Sequence, residues 1–220
     1  MTYELYCISG SPNSWRAALA MEVKGLNYVS HRLDPSKREH KTPEYLAMNP
    51  RGKVPVLKDG DTIIYESLAI VAYLDAKHAE PPLFGTTPAE TGRVWQVVSE
   101  LIHYTIEPMF ALTRIFYRGQ EAEKADEIKS LGEDIHVEFA EIEKRLAGRQ
   151  YLAGDTLTAA DILLYPALPS LIRGIDRKAA APFDLGFLPL DERYPGLAAW
   201  AARIEGLPGF ERTYPPHWRQ

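Results

Sequence analysis

The chain has 220 residues, which is enough for one large domain or two small ones with separate cores. Hydrophobic residues make up 45% and charged residues 25%, an ordinary composition for a globular protein. The net charge of −5 argues against a nucleic-acid partner held by a general basic face, and no apolar run approaches the roughly 18 residues of a membrane-spanning helix.

The N-terminus lacks a basic region followed by an apolar stretch, so we expect no secretory signal and a cytoplasmic enzyme or binding protein. Cys7 is the only cysteine, which leaves neither an intrachain disulfide nor a Cys-x-x-Cys pair. Its apolar surroundings, Leu5-Tyr6-Cys7-Ile8, predict a buried strand thiol. The six histidines are scattered and form no cluster, so no metal site is predicted.

The first 79 residues alternate strand and helix signals. The predicted elements, in chain order, are a strand Tyr3–Ser9, a helix over 12–24, a strand Tyr28–Leu33, a short helix after Thr42, a hairpin at Asp59-Gly60 and a helix from Ser67 to about Lys77. The order β-α-β-α-β-β-α is that of an α+β, thioredoxin-like domain, which we assign to residues 1–79.

Residues 80–88 are a proline-punctuated linker, and residues 89–220 have helical patterns throughout. Within this all-α C-terminal domain, Thr158 and Asp161 have the spacing of a capping box between Leu157 and Ile162. We interpret Asp161 as the structural nucleus of a helix and not as a ligand-binding acid.

Residues 49–67 carry the clearest functional signal. An apolar run containing Pro55 is followed by a turn, a second strand and the pair Glu66-Ser67 at the start of a helix. Proline cannot donate to a central ladder, and a helix N-terminus favours a carboxylate, so the segment suits an extended peptide ligand. It resembles the glutathione-binding signature of the glutathione transferase family, and the capping box resembles that family's helical-domain motif.

The resemblance implies a fold, a co-substrate and a set of binding residues. Val54 would pair through its backbone with the cysteinyl residue of glutathione, before a cis bond to Pro55. Glu66 would hold the γ-glutamyl amine and Ser67 the γ-glutamyl carboxylate. Lys53 and His40 would meet the glycyl carboxylate. The family also implies a homodimer, whereas the expectation of no nucleic-acid or membrane partner follows from the net charge and the absence of a long apolar run in the sequence.

The loop Ser9–Arg16 would contain the catalytic group. Ser11 precedes Pro12 at the predicted start of a helix, where a hydroxyl both caps the helix and faces its free amides. The loop resembles that of the serine-type classes, theta and zeta, with Ser11 as the group that stabilises the thiolate. Asn13 stands where zeta enzymes have cysteine and is a second candidate, as in nu-class relatives. Tyr6 is assigned to core packing.

The predicted activity is conjugation of glutathione to a hydrophobic electrophile, bound in a pocket that includes Tyr104, Phe110 and Tyr165. Two other enzymatic activities fit the same scaffold: a zeta-like maleylacetoacetate isomerase and a nu-like glutathione-dependent disulfide reductase. A non-catalytic binding or regulatory protein of the same fold is the alternative from another class.

Overall fold

The computed structural model describes residues 2–219, and these form two compact units. The first runs to Phe84 and also includes the chain from Gly206 onward; the second is Gly85–Glu205. Residues 206–219, which were predicted to belong to the helical domain, pack with the first unit.

The first unit has the predicted element order, and the thioredoxin-like fold class is confirmed. Its elements are β1 (Tyr3–Cys7), α1 (Pro12–Val23), β2 (Tyr28–Arg32), a 3₁₀ turn (Glu39–Lys41), α2 (Pro43–Met48), β3 (Val56–Asp59), β4 (Thr62–Tyr65), α3 (Ser67–Lys77), α11 (Phe210–Thr213) and a final 3₁₀ turn (Pro216–Trp218).

The sheet has the strand order β2-β1-β3-β4. Strand β1 is parallel to β2 and antiparallel to β3, and β3 is antiparallel to β4. The register pairs Tyr6 with Val56, and the named strand β3 begins there. Leu5 and Leu57 are fully buried, as are Leu19 of α1 and Ile70 of α3. This apolar core fixes the ends of β1 and β3 beside the starts of α1 and α3.

The second unit is helical, as predicted. Its helices are α4 (Pro88–Glu100), α5 (Glu107–Arg118), α6 (Ala125–Leu146), α7 (Ala159–Leu164), α8 (Ala167–Ile175), α9 (Leu190–Arg193) and α10 (Pro195–Glu205). A π-helical segment, Leu101–Ile106, joins α4 to α5. The backbone N–H of Glu107 bonds to the carbonyl of Ile102, five residues earlier, so the helical path continues through Pro108 with a shifted register. None of the helices within residues 2–219 is long and apolar enough to cross a membrane.

The capping interaction at the start of α7 is confirmed. The Asp161 side chain is completely buried and accepts hydrogen bonds from the backbone N–H and hydroxyl of Thr158, at 2.8 and 3.0 Å. It also accepts from the backbone N–H of Leu152 and from Trp200 Nε1, both at 2.9 Å. Burial nevertheless raises the pKa of the Asp161 carboxyl. One side chain therefore joins α7, α10 and the loop before α7.

We expect Asp161→Ala to lower the free energy of unfolding by about 3 kcal/mol or more, because it leaves several buried donors without an acceptor. Chemical denaturation measures this loss. The matched control is Asp155→Ala at an exposed position of the same loop, which should change stability by less than about 0.5 kcal/mol. Equal losses for the two variants would contradict the structural role of Asp161.

Candidate functional site

Ser11 is the N-cap of α1. Its Oγ accepts a hydrogen bond from the backbone N–H of Ser14 at 3.3 Å, and its own N–H donates to the carbonyl of Ile8 at 3.1 Å. The hydroxyl hydrogen of Ser11 has no acceptor within residues 2–219 and remains available to a ligand. A cap that uses only the oxygen lone pair is compatible with donation to a sulfur atom at the same helix end.

Asn13 lies one residue into α1 and touches the start of another helix. Its Oδ1 accepts from Arg16 Nη1 at 2.6 Å and from Ser67 Oγ at 3.4 Å. The structure thus brings together Asn13 and Ser67, which are 54 residues apart in sequence. Arg16 was not among the predicted site residues, because an arginine in a helix pattern gives no sign that it is buried.

Helix α3 starts at Ser67, which is 7% exposed. Among the residues that the structure describes, no side chain caps this helix, whereas Ser11, Thr42 and Thr87 cap α1, α2 and α4. Its first N–H groups have no intrahelical partner, and together with the helix dipole they favour an anion.

Glu66, immediately before α3, is exposed and has φ of +71°. A residue with a side chain is strained in this region, by about 1–3 kcal/mol, and such strain is concentrated at functional sites. The backbone conformation of Glu66 therefore marks the start of α3 as a candidate binding site.

Val54 lies just before β3, and the bond between Val54 and Pro55 is cis, which confirms the expectation drawn from the family resemblance. Neither the N–H nor the C=O of Val54 has a hydrogen-bond partner among the residues that the structure describes. Strand β3 pairs on both sides, so it is not an edge strand. The free backbone groups arise because the ladder begins only at Val56.

Lys53 and His40 lie on adjacent turns. The Lys53 carbonyl accepts from the Tyr45 hydroxyl at 2.7 Å and from Asn49 Nδ2 at 2.8 Å, which fixes the backbone before Val54. The exposed Lys53 side chain makes no ion pair within residues 2–219. Gly52, at φ of +54°, lies so close to the His40 carbonyl that an added Cβ would be 2.9 Å from it. His40 Nδ1 is buried without a hydrogen-bond partner in the described chain.

Cys7 and Tyr6 are not among the candidate binding or catalytic residues. The Cys7 thiol is buried, lies 3.3 Å from Ser30 Oγ, and has a pKa raised by that burial. The Tyr6 hydroxyl donates to Glu4 at 3.2 Å, and its ring stacks on His31 with centroids 4.5 Å apart. Burial and the Glu4 carboxylate raise the pKa of Tyr6. Tyr6 is half-buried in a polar cluster on the sheet, and not in a purely apolar core.

The chain end, residues 213–218, forms a neighbouring surface that no sequence pattern predicted. Trp15 Nε1 donates to Thr213 Oγ1 at 2.7 Å, and the Trp15 ring packs against Tyr214 and Trp218. His217 Nδ1 lies 3.4 Å from Ser9 Oγ, next to the loop that carries Ser11. A cavity of about 70 Å³ lies here, and residues of the Ser9–Ser11 loop and of the segment 212–216 line it. No local pattern predicts a contact across about 200 residues.

The three residues predicted to line the pocket for the second substrate differ in how far they are exposed. Tyr104 is 60% exposed and lines a cavity of about 280 Å³ together with Glu138 and Arg145. Phe110 is half-buried on α5. Tyr165 is 1% exposed, and its hydroxyl donates to Glu205 at 2.9 Å. Tyr165 is therefore a core residue of the second unit.

No group of three or more His, Cys, Asp or Glu side chains is placed to hold a metal ion within residues 2–219. The donors at the starts of α1 and α3 are hydroxyl, amide and backbone N–H groups, which suit an anionic or peptide ligand.

Comparisons with known proteins identify the family. Residues 5–82 match the family model described as glutathione S-transferase, N-terminal domain, and residues 105–208 match the model of the C-terminal domain. The chain belongs to the glutathione S-transferase family. Each model falls largely within one of the two units, and together they span most of the sequence.

Individual relatives agree. Glutathione S-transferase 1 of Dianthus caryophyllus is 34% identical over 78% of this chain and 78% of its own length. Glutathione S-transferase A of Pleuronectes platessa is 31% identical over 96% of this chain and 90% of its own. The crystal structure of a glutathione S-transferase from the Antarctic clam Laternula elliptica aligns with a TM-score of 0.82 at 27% identity, covering 100% of this chain and 95% of that one.

We expect the native transferase to resist alkylation at Cys7, because the thiol is buried and its raised pKa reduces the reactive thiolate. Mass spectrometry after iodoacetamide treatment at pH 7.5 should show modification at least about tenfold slower than in the urea-unfolded protein, which is the control. Similar rates in the native and unfolded protein would show that the thiol is accessible.

Proposed function

We propose that this transferase binds glutathione across the starts of α1 and α3, stabilises its thiolate with Ser11, and transfers it to a hydrophobic electrophile. The observation that supports this most strongly is the Ser11 hydroxyl. Its oxygen caps α1 while its hydrogen stays free, at a helix end that favours negative charge.

At the γ-glutamyl end, the carboxylate binds the uncapped N-terminus of α3 through backbone N–H groups and the Ser67 hydroxyl. The strained, exposed Glu66 supplies a carboxylate for the γ-glutamyl amine. An acid beside an anion site is unfavourable for a simple anion but suits a ligand that carries both charges, as an amino acid does. This pairing favours a γ-glutamyl group over phosphate or sulfate.

The cysteinyl residue pairs with the free N–H and C=O groups of Val54, as an added strand pairs with an edge. Lys53 and His40 bind the glycyl carboxylate. The Lys53 side chain, without an ion pair in the described chain, supports this role. The close packing of Gly52 against His40 keeps the two turns together.

A free thiol has a pKa near 8.5, so only a small fraction is thiolate at neutral pH. A hydrogen bond from Ser11, with a second from the Asn13 amide, favours the anion and lowers that pKa. The thiolate sulfur then attacks an electrophilic carbon of the second substrate. A carbon–sulfur bond forms, and the leaving group, for example chloride from an aryl halide, departs with its electron pair.

For the second substrate we retain Tyr104 and Phe110 as candidate contacts. The buried Tyr165 ring is left out, because a substrate would have to displace the core of the second unit to reach it. The relatives' names give no electrophilic substrate, and the electrophile is proposed only as a hydrophobic compound.

We also propose a homodimer in the cytoplasm. Trp95 of α4 and Val137 of α6 are large apolar side chains with exposed fractions of 40% and 61%, and an interface on the second unit would remove this apolar area from water. Light scattering coupled to gel filtration gives the mass directly.

Replacing Ser67 with Ala should weaken glutathione binding by about 5- to 30-fold, because a hydrogen bond to a charged group contributes about 1–2 kcal/mol. Turnover at saturating glutathione should change much less. Calorimetric titration measures the affinity, and Ser99→Ala, at an exposed position of α4, is the control. An unchanged dissociation constant would remove Ser67 from the γ-glutamyl site.

Replacing Ser11 with Ala should raise the pKa of the bound thiol by about one unit and reduce kcat/KM at pH 6.5 by about tenfold. Activity should rise with pH through that pKa, because only the thiolate reacts. The loss of the cap should also cost about 1 kcal/mol of stability. The assay uses glutathione and a model aryl halide, with the thiolate followed by its ultraviolet absorbance.

The control is Ser11→Thr, which keeps both a hydroxyl and a capping oxygen and should retain most of the activity. Unchanged turnover of Ser11→Ala would make Asn13 the principal donor. Glutathione binding without turnover in the wild-type protein would instead favour the non-catalytic binding protein.

A further inference from the structure

Arg16 contacts the candidate site through the side chain of Asn13. Arg16 lies three residues after Asn13 on α1, so the two share a face of the helix. Arg16 is 6% exposed, and its Nη1 donates to Asn13 Oδ1 at 2.6 Å. A short bond from a cationic donor is stronger than one between neutral groups.

The second donor to the same oxygen is the Ser67 hydroxyl, at 3.4 Å. These two donors fix the orientation of the planar carboxamide. The atom that faces both of them must be the oxygen, because an amide nitrogen cannot accept either hydrogen bond. The nitrogen Nδ2 lies on the opposite side of Cγ and has no hydrogen-bond partner within residues 2–219. The amide therefore presents N–H groups away from Arg16.

We propose that Arg16 is a positioning residue that holds the Asn13 carboxamide with its N–H toward the glutathione sulfur. This inference rests on the proposed function and adds a residue to it. The role of Arg16 is greatest in the bound state, because the γ-glutamyl carboxylate draws the Ser67 hydroxyl away from Asn13. Arg16 is then the donor that still fixes the amide.

The charge of Arg16 also fits this role. Burial lowers its pKa to about 10, so the guanidinium stays protonated at neutral pH. A cation on Oδ1 polarises the amide and strengthens the bond that its N–H donates, since linked hydrogen bonds reinforce one another. An uncharged donor would hold the amide but polarise it less.

The test measures the thiol pKa of bound glutathione by ultraviolet absorbance in four proteins: wild type, Arg16→Gln, Asn13→Ala and the double variant. Arg16→Gln should raise that pKa by about half to one unit, with the KM for glutathione changed by less than about twofold. In the Asn13→Ala background the same substitution should have no further effect. Equal shifts in both backgrounds, or none in either, would overturn the role of Arg16.

Leu19→Ala is the control for stability, because Leu19 is fully buried on the same helix. Leu19→Ala should lower the melting temperature and leave the bound-thiol pKa unchanged. A pKa shift as large as that of Arg16→Gln would mean that destabilising α1 alone raises the thiol pKa, and this result would overturn the proposal.

A second variant covers the case in which Arg16→Gln does not fold. Asn13→Asp keeps an oxygen for Arg16 but has no N–H, so it should raise the bound-thiol pKa at least as far as Asn13→Ala. A wild-type value in Asn13→Asp would overturn the inference. A wild-type enzyme without a thiolate band would contradict the proposed function itself, whereas a band that these variants leave unchanged contradicts only the positioning role.

Discussion

Helix α3 begins at Ser67 without a side-chain cap, and this open helix end is the constraint on which the candidate site depends. Unsatisfied N–H groups at a helix start require water, a side chain or a ligand. The neighbouring residues are arranged so that no side chain of the described protein caps it: Glu66 has a positive φ, and the Ser67 hydroxyl points to Asn13. In the proposed complex, the γ-glutamyl carboxylate accepts hydrogen bonds from these N–H groups.

The start of α1 differs, because Ser11 serves both the fold and the proposed chemistry. Its oxygen accepts from the Ser14 N–H, and in the proposed complex its hydrogen is donated to the sulfur. A hydroxyl can take both roles at once, whereas a carboxylate at the same position could cap the helix but would repel a thiolate. The Asn13 side chain accepts a hydrogen bond from Ser67 and so connects the start of α1 to the start of α3. In the proposed complex, the residues that contact the thiol are therefore hydrogen-bonded to those that contact the γ-glutamyl group.

Local signals in the sequence predicted much of this arrangement. The caps at Ser11 and Thr158, the hairpin at Gly60 and the order of strands and helices depend on neighbours within a few residues, and all are present. The cis bond before Pro55 was predicted from the resemblance of residues 49–67 to the family signature, and it is present.

Contacts between distant segments were not predictable in the same way. The chain end packs against Trp15 through Thr213, and nothing in the local pattern of either segment specifies the other. Periodicity also cannot distinguish a pocket residue from a core residue on the same helix face, which is why Tyr165 was grouped with exposed Tyr104. The bond from Arg16 to Asn13 required knowledge that Arg16 is buried.

The central claim is that the open end of α3 binds the γ-glutamyl group. Calorimetric titration of the protein with glutathione and with cysteinylglycine, which lacks that group, tests it most directly. We predict that cysteinylglycine binds at least about 100-fold more weakly, since it loses a charged contact at each of Glu66 and Ser67. Equal affinities for the two peptides would contradict the account.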